Sequence, residues 1–373
     1  MSRDSSPLAG LIASFLALDP DTPQEEIQRR LDAIREASDL STVMDCLFRW
    51  ELAAGYITRE KLEQVERLEF PDPETGVSFR IQVNYARTKY SDAQERAKKE
   101  ATPAGPRPCL LCRENVGRPG RERLRVYEFP LDGRERRFFL QLTPFPLYPY
   151  HFVPVSSEHS PQLIDAQTVR DMLDFLRLAP DYTVASNSDV QWAGASILTH
   201  LHYQVLRGVR LPVMDARPAS GLERKLPGLA IGFLRYPLPA FRFAGAEEVA
   251  VREAVSALIG LWKSRDPGRN TVNLTLVRAP GPPPGFELTV LLRNPDYRTP
   301  LALRRFKSEG VGVIEASGEA ILPVPRGPDA QAMWGEIRGN GLALTKALIA
   351  GNSPPQDRER MEELLEGTVR ALR

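Results

Sequence analysis

The sequence predicts an α+β protein, and three observations carry that reading. Short strand-like runs such as "LRVYEF", "RFFLQL" and "HFVPVS" follow one another with turn residues between them. Single helix-like stretches separate these sets of strands, the pattern of antiparallel sheets with packed helices. The chain also carries 33 prolines, which favour loops and turns over a helical bundle.

Taken in order, "LAGLIASFLAL" reads as a buried N-terminal helix. It has the length of a signal-peptide apolar region, but no basic cluster precedes it and no small-residue cleavage pattern follows. Residues 20–70 read as helical. Thr22 is placed to cap, Pro23 at the first helical position and Glu25 in capping-box position, with Ile27, Leu31 and Ile34 at helical spacing. "VSFRIQVNYAR" at 77–87 reads as a strand, and the Pro/Gly-rich "ATPAGPRP" marks a boundary near residue 105. "DAQTVRDMLDFLRL" predicts a helix capped by Asp165, with Val169, Met172, Leu173 and Leu176 on one face. A second helix spans 246–264, with Val251, Val255, Leu258 and Trp262 as its stripe. "TVNLTLVR" and "FELTVLLRN" predict a hairpin across "APGPPPG", and "GVGVIEASGEAIL" further strand material. The tail "DRERMEELLEGTVRAL" predicts an amphipathic C-terminal helix. The organisation expected is therefore a helical N-terminal extension with a lead-in strand over 1–104, one half over 105–240, and a second half with the C-terminal helix over 241–373.

Acids and bases nearly cancel, leaving a formal charge of +1, which argues against a nucleic-acid binder working through bulk charge. No apolar run is long enough to span a membrane. Three cysteines in 373 residues do not suggest a disulfide framework. A cytoplasmic protein is expected.

The chemistry concentrates at the histidines. The chain has four, His151, His159, His200 and His202, all within one short window. Upstream stands Cys109-Leu110-Leu111-Cys112. Two thiolates at this spacing can grip one Zn²⁺, which takes four N or S ligands in a tetrahedron. Cys46 is alone, so the remaining ligands would come from histidine or a carboxylate, and His159 and His200 are available. A redox pair, or two buried small hydrophobes, would carry the same spacing.

In the stretch "HLHYQ", an extended backbone places His200, His202 and Gln204 on one face, with Leu201 and Tyr203 on the other. His200 could then bind metal while His202 points into a cleft. A neutral imidazole attacks a phosphoanhydride and forms a covalent phosphoramidate, splitting one hard displacement into two. Gln204 could donate an amide hydrogen to a phosphate oxygen. Two structural histidines on a strand would look the same. Nearby, Gly194 permits close backbone approach, and Asn187 and Ser196 can hydrogen-bond ribose or phosphate.

These segments resemble a known family. "CLLCREN", "SSEHSPQLI", "DYTVASNSDVQWAGASILTHLHYQ", "LPVMDA", "NTVNLTLVR", "GFELTVLLRN" and "GVGVIEASGEAILP" occur in the order found in galactose-1-phosphate uridylyltransferases, especially class II, within the histidine-triad superfamily. The likeness covers roughly residues 77–325. It implies a duplicated histidine-triad-like fold and a ping-pong cycle with His202 as nucleophile and Gln204 on the α-phosphate. It implies structural zinc held by Cys109, Cys112, His159 and His200. Substrate contacts are implied at Asn84, Arg87, Asn187, Gly194, Ser196 and Glu315, the last facing the sugar. His151 precedes a strand where the superfamily often has a histidine; a structural role, or help in orienting the site, is implied there. The substrates implied are a nucleotide sugar and a sugar 1-phosphate, or inorganic phosphate in a phosphorylase, and the assembly a homodimer.

The chain also departs from the family. Leu201 stands where Asp separates the two histidines, and Val205-Leu206 where Gly-Gly follows the glutamine. Ser188 replaces Ala, "VQWAG" replaces a more regular segment, and no histidine follows His202. These changes surround the nucleotide and sugar pockets and leave the nucleophile intact, so the substrate pair is the open question.

Overall fold

A computed structural model of the chain describes residues 7–85, 109–118, 121–131, 136–144, 146–194, 197–281, 284–307 and 310–373. The N-terminal helices are α1 (Pro7–Leu16), α2 (Gln24–Ala37), α3 (Leu40–Ala54) and α4 (Arg59–Glu63). α1 lies on the surface of the core and fully buries only Phe15, so it is a one-sided helix and not the buried one expected. α2 buries Ile27, Leu31 and Ile34 as the spacing predicts. Its start differs by one residue. The Thr22 hydroxyl turns back to the Asp19 carbonyl, leaving Pro23 as the N-cap, whose carbonyl accepts from the Ile27 amide.

The helical reading of 20–70 fails at its end. β1 (Val65–Asp72) pairs antiparallel with β2 (Val77–Asn84), with Leu68 opposite Ile81 and Phe70 opposite Phe79. Cross-strand apolar pairs outweigh the weak helix propensity of "VERLEFPD".

The main sheet is built from two runs of five strands. The first contains β3 (Val126–Pro130), β4 (Arg137–Leu142), β5 (His151–Ser156), helix α5 (Ala166–Leu178), β6 (Tyr182–Ser186) and β7 (Gln204–Arg207). The second contains β8 (Pro218–Leu226), β9 (Leu229–Leu234), β10 (Ala240–Gly245), helix α6 (Glu248–Arg265), β11 (Thr271–Ala279) and β12 (Gly285–Arg293). The sheet order is β3-β4-β5-β7-β6-β11-β12-β10-β9-β8. Numbered within each run, both halves read 1-2-3-5-4 from the edge inward, with one helix between the third and fourth strands. The halves meet antiparallel through β6 and β11. This is the duplicated histidine-triad-like sheet the resemblance implies. By strand order the first run closes at Arg207 and the second opens at Pro218, so β8 and β9 sit in the second repeat.

The Asp165 carboxylate caps α5 with a full capping box, and the predicted stripes of α5 and α6 are buried. The remaining elements are α7 (Val313–Ala316), β13 (Glu319–Leu322), α8 (Ala330–Gly339), α9 (Gly341–Ile349) and α10 (Arg358–Ala371). "GVGVIEASGEAIL" is thus part helix and part strand. β13 pairs parallel with β2, completing a three-stranded sheet.

Alternate residues of the main sheet feed two cores. Val184, Tyr203 and Val205 pack with α2, α3, α5, α6 and α10. Ala185, Leu206 and Leu291 pack on the opposite face with β2, β13, α8 and α9. At one end of this sandwich β5 and β6 finish, β7 begins, β11 begins and β12 finishes. The candidate site occupies that end.

Candidate active site and metal centre

The expected alternation holds in "HLHYQ". Leu201 and Tyr203 enter the helix-side core, and the Tyr203 hydroxyl donates to Asp171 at 2.9 Å. That anchors one face of the segment, so His200, His202 and Gln204 project from the other. Val155 bridges to His202, and the backbone amide of His202 donates to Oε1 of Gln162 at 3.0 Å.

Each nitrogen of His202 has a defined role. Nδ1 lies 2.8 Å from the carbonyl oxygen of His200. A carbonyl only accepts, so Nδ1 carries the proton and Nε2 keeps its lone pair. Nε2 has no hydrogen-bond partner among the described residues. Burial pushes the imidazole pKa below its usual 6.5, with the Nδ1 bond opposing and His200 adding a small push downward, so the ring is neutral at neutral pH.

Gln204 is held in the same way. Its Oε1 lies 3.1 Å from Nε2 of His151, and Nδ1 of His151 accepts from the Leu147 amide at 3.2 Å. An amide N–H can only donate, so His151 is protonated on Nε2 and donates to the Gln204 carbonyl. The Gln204 NH₂ group therefore faces away from His151. The Leu147 carbonyl accepts from Gln82 at 3.1 Å and from Arg67, tying this relay to β1 and β2.

Cys109, Cys112, His159 and His200 bring one ligand atom each to within 4.8 Å of one another. Sulfur and nitrogen ligands of a tetrahedral zinc stand about 3.6 Å apart, given bond lengths of roughly 2.3 and 2.05 Å. Nδ1 of His200 lies 3.5 Å from Sγ of Cys109 and 3.7 Å from Sγ of Cys112, and Nδ1 of His159 lies 2.9 Å from Sγ of Cys112. Nε2 of His200 donates to the Ser156 carbonyl at 2.8 Å, which turns the Nδ1 lone pair toward the sulfurs. Burial keeps His200 neutral by lowering its pKa. Burial and the neighbouring Cys109 push the Cys112 thiol up to about 11. The donor set and spacing fit one soft, tetrahedral cation, whose charge would hold both sulfurs as thiolates.

The remaining expected residues divide. Asn187 is buried, and its Oδ1 accepts from the Val313 amide at 3.1 Å. Gly194 has φ +95°, and a Cβ there would lie 2.1 Å from the Val311 carbonyl. Both residues thus dock the 187–194 loop onto 311–313. Glu315 sits beside them, but its carboxylate faces inward. It accepts from Lys307 Nζ at 2.8 Å, the Gly312 amide at 2.9 Å and the Ile321 amide at 3.2 Å. Asn84 is buried at the end of β2, opposite Val65. Arg87 and Ser196 lie outside the described residues.

Two residues of this region carry little signal in the sequence. Gln162 is an ordinary loop glutamine until the fold sets it against the His202 amide. Trp192 is 62% exposed with φ +67°, a backbone conformation that costs a bulky residue on the order of 1–3 kcal/mol. Its position within a departure from the family pattern, "VQWAG", was the available clue.

Comparison with known proteins follows the same lines. A family profile described as "Domain of unknown function (DUF4922)" matches residues 46–207. The galactose-1-phosphate uridylyltransferase of Bacillus subtilis is 32% identical over 244 residues, 58% of this chain and 46% of that protein. That of Clostridium acetobutylicum is 25% identical over 305 residues, 74% of this chain and 60% of that protein. The chain therefore spans about half the length of these relatives. Yeast Ap4A phosphorylase Apa2 superposes with a TM-score of 0.55 at 16% identity, covering 87% of this chain and 97% of that one. No helix of the described residues is long and apolar enough to cross a membrane. The chain is thus similar in sequence to the galactose-1-phosphate uridylyltransferases, and it shares its fold with the yeast Ap4A phosphorylase.

Proposed function

We propose that the chain is a nucleotidyltransferase, moving a nucleoside monophosphate, UMP, between a nucleotide sugar and a sugar 1-phosphate. The observation that carries this reading is the tautomer of His202, with Nδ1 tied to a carbonyl and no partner for the Nε2 lone pair among the described residues. Nε2 attacks the α-phosphorus of the nucleotide sugar, the P–O bond to the β-phosphate breaks, and sugar 1-phosphate leaves. The Nδ1 proton stays on the ring throughout, and the His200 carbonyl stabilises the cationic phosphoramidate. In the second step a phosphate oxygen of the acceptor attacks the same phosphorus. The P–N bond breaks, and the imidazole recovers its electron pair without a proton transfer. The Gln204 NH₂ group, aimed by His151, donates to a non-bridging oxygen as charge builds. An amide cannot protonate the leaving group, so phosphate leaving groups suit this site. Asn187 and Gly194 shape the loop beside the phosphates, and Asn84, Arg87 and Ser196 are assigned to the nucleotide side. Glu315, the sugar contact implied by the resemblance, acts in this reading through Lys307 and the 311–313 turn.

Zinc is the metal proposed for the Cys109, Cys112, His159 and His200 cluster. Its role there is structural, holding His200 and hence the carbonyl that sets the His202 tautomer. Thiolate ligands need a reducing compartment, which supports a cytoplasmic location. A homodimer belongs to the same reading.

Incubation with UDP-glucose labelled at the α-phosphate leaves acid-labile label on the wild-type protein and none on His202→Asn. Wild-type protein that stays unlabelled with every nucleotide sugar tried would overturn the mechanism. A phosphorylase using inorganic phosphate is the second reading, favoured by the match in fold to the yeast phosphorylase. It shares the intermediate, so discharge of labelled enzyme by phosphate against hexose 1-phosphate separates the two.

A further inference from the structure

The His151–Gln204 pair is held from further away than Leu147. Register sets Arg67 opposite Gln82 across β1 and β2, and Glu319 of β13 beside Arg80, so these four side chains share one face of the small sheet. Glu319 opens β13 and is completely buried, as is Gln82. Oε1 of Glu319 accepts from Nε2 of Gln82 at 2.9 Å, and Oε2 accepts from the Tyr148 hydroxyl. Arg67 and Arg80 stand 3.6 and 3.7 Å from the same carboxylate. The Arg67 guanidinium also lies over the Tyr148 ring, 4.5 Å from its centroid.

Nε2 of Gln82 donates to the Leu147 carbonyl at 3.1 Å as well as to Glu319. A carbonyl and a carboxylate only accept, so both amide hydrogens of Gln82 are committed and the amide cannot reverse. Its Oε1 has no hydrogen-bond partner among the described residues, so the two acceptors alone set its direction. The groups that fix residues 147 and 148 are Gln82 and Arg67 on the Leu147 carbonyl and the Tyr148 side chain, and all three meet one carboxylate. Leu147 presents its amide to Nδ1 of His151, whose Nε2 donates to Gln204. Residue 319, far along the chain from the 147–148 turn, thus reaches the Gln204 amide through a continuous set of hydrogen bonds.

Resting on the nucleotidyl-transfer reading above, we propose that Glu319 is a positioning residue for Gln204: it fixes the 147–148 turn, the turn sets the tautomer of His151, and His151 aims the Gln204 amide. A carboxylate suits this place because its two acceptor oxygens take Gln82 and Tyr148 at once, and its charge gathers Arg67 and Arg80 around the turn. Glutamine at 319 keeps the volume, loses the charge and turns an NH₂ group toward one of the two donors.

The first readout needs no turnover. In protein carrying isotope-labelled histidine, ring-nitrogen NMR shifts show His151 as the Nε2–H tautomer, assigned by the signal that vanishes in His151→Phe. In Glu319→Gln the signal moves toward a mixture of tautomers while the protein still melts as a folded chain. Gln82→Leu cuts the same connection at its next member, gives the same change, and carries the test if Glu319→Gln does not fold. The second readout is rapid-quench transfer of label from UDP-glucose to His202. In Glu319→Gln the maximal rate falls about tenfold, and the half-saturating donor concentration stays within about twofold. The double variant His151→Phe/Glu319→Gln labels no slower than His151→Phe alone, because Glu319 acts through His151. A His151 signal unchanged in the folded variants, or additive losses in the double variant, overturns the proposal. If no nucleotide sugar labels the wild type, the transfer reading has failed, and the His151 signal still decides whether Glu319 holds the relay.

Discussion

Replacing His151 with phenylalanine separates an aimed Gln204 amide from one that is merely nearby. Phenylalanine fills the volume but has no hydrogen-bonding atoms. In the wild type the Nε2–H of His151 holds the Gln204 carbonyl at 3.1 Å. The amide can reverse only by giving up that bond and bringing its NH₂ against an N–H. Losing one partner of a buried hydrogen bond costs about 1–3 kcal/mol. At 1.36 kcal/mol per factor of ten, the lost bias lowers kcat about 5–150-fold. The ceiling is the effect of removing the amide, about 10²–10³-fold for one transition-state donor. The loss should fall on kcat with KM nearly unchanged, since the amide acts as charge builds. Rapid-quench measurement of label transfer to His202 reads it directly. Gln204→Ala should lose the larger factor, and the double variant should be no worse than Gln204→Ala alone, because His151 acts through Gln204. Additive losses in the double variant, or an unchanged kcat in His151→Phe, would refute the relay.

Further outcomes follow from the same geometry. Labelling of His202 should be level above pH 6.5 and fall on an acid limb whose midpoint lies below 6.5, because burial lowers the folded-state pKa. The unfolded chain takes up that proton first, so the His202 contribution to stability is complete above pH 6.5 and lost as pH falls toward the folded-state value; an acid-side melting series checks it. Elemental analysis should find about one zinc per chain, and Cys109→Ser should lose the metal, lower the melting temperature and slow labelling. Gly194→Ala should destabilise by about 2–4 kcal/mol in denaturant melts, combining a strained positive φ with the overlap on the Val311 carbonyl.

The candidate site was more legible in the sequence than the architecture, for a physical reason. "CLLC" and "HLHYQ" are local patterns whose residue types have few other uses, and the strand period alone put His202 and Gln204 on one face. Strand order is a long-range property. β8, β9 and β10 carry no pattern that announces their place beyond β12, and the repeated 1-2-3-5-4 order emerges only once β6 meets β11. β1 falls largely within the stretch expected to be helical, because its pairing to β2, which decides the matter, is not a local property. For Glu315 the resemblance implied a side chain facing the sugar, whereas its carboxylate turns inward. Three donors converge on it from Lys307 and the backbone, and that convergence exists only in the fold.

The scarcity of histidine now has a reading. A histidine has two ring nitrogens, and its function depends on which one the backbone occupies. At position 200 the Ser156 carbonyl takes Nε2 and leaves Nδ1 for the Cys/His cluster. At position 202 the His200 carbonyl takes Nδ1 and leaves Nε2. At position 151 the Leu147 amide takes Nδ1 and assigns Nε2–H to Gln204. Neighbouring rings on one strand face are thus driven to opposite tautomers by carbonyls of known position. The Cys/His cluster and the His202 ring are linked through a single peptide, the one whose carbonyl belongs to His200. Loosening the cluster should therefore disturb the tautomer of His202 before it disturbs the fold, and labelling rate should fall at lower chelator concentrations than the melting temperature does. A labelling rate that survives until the protein melts would show the two centres to be independent.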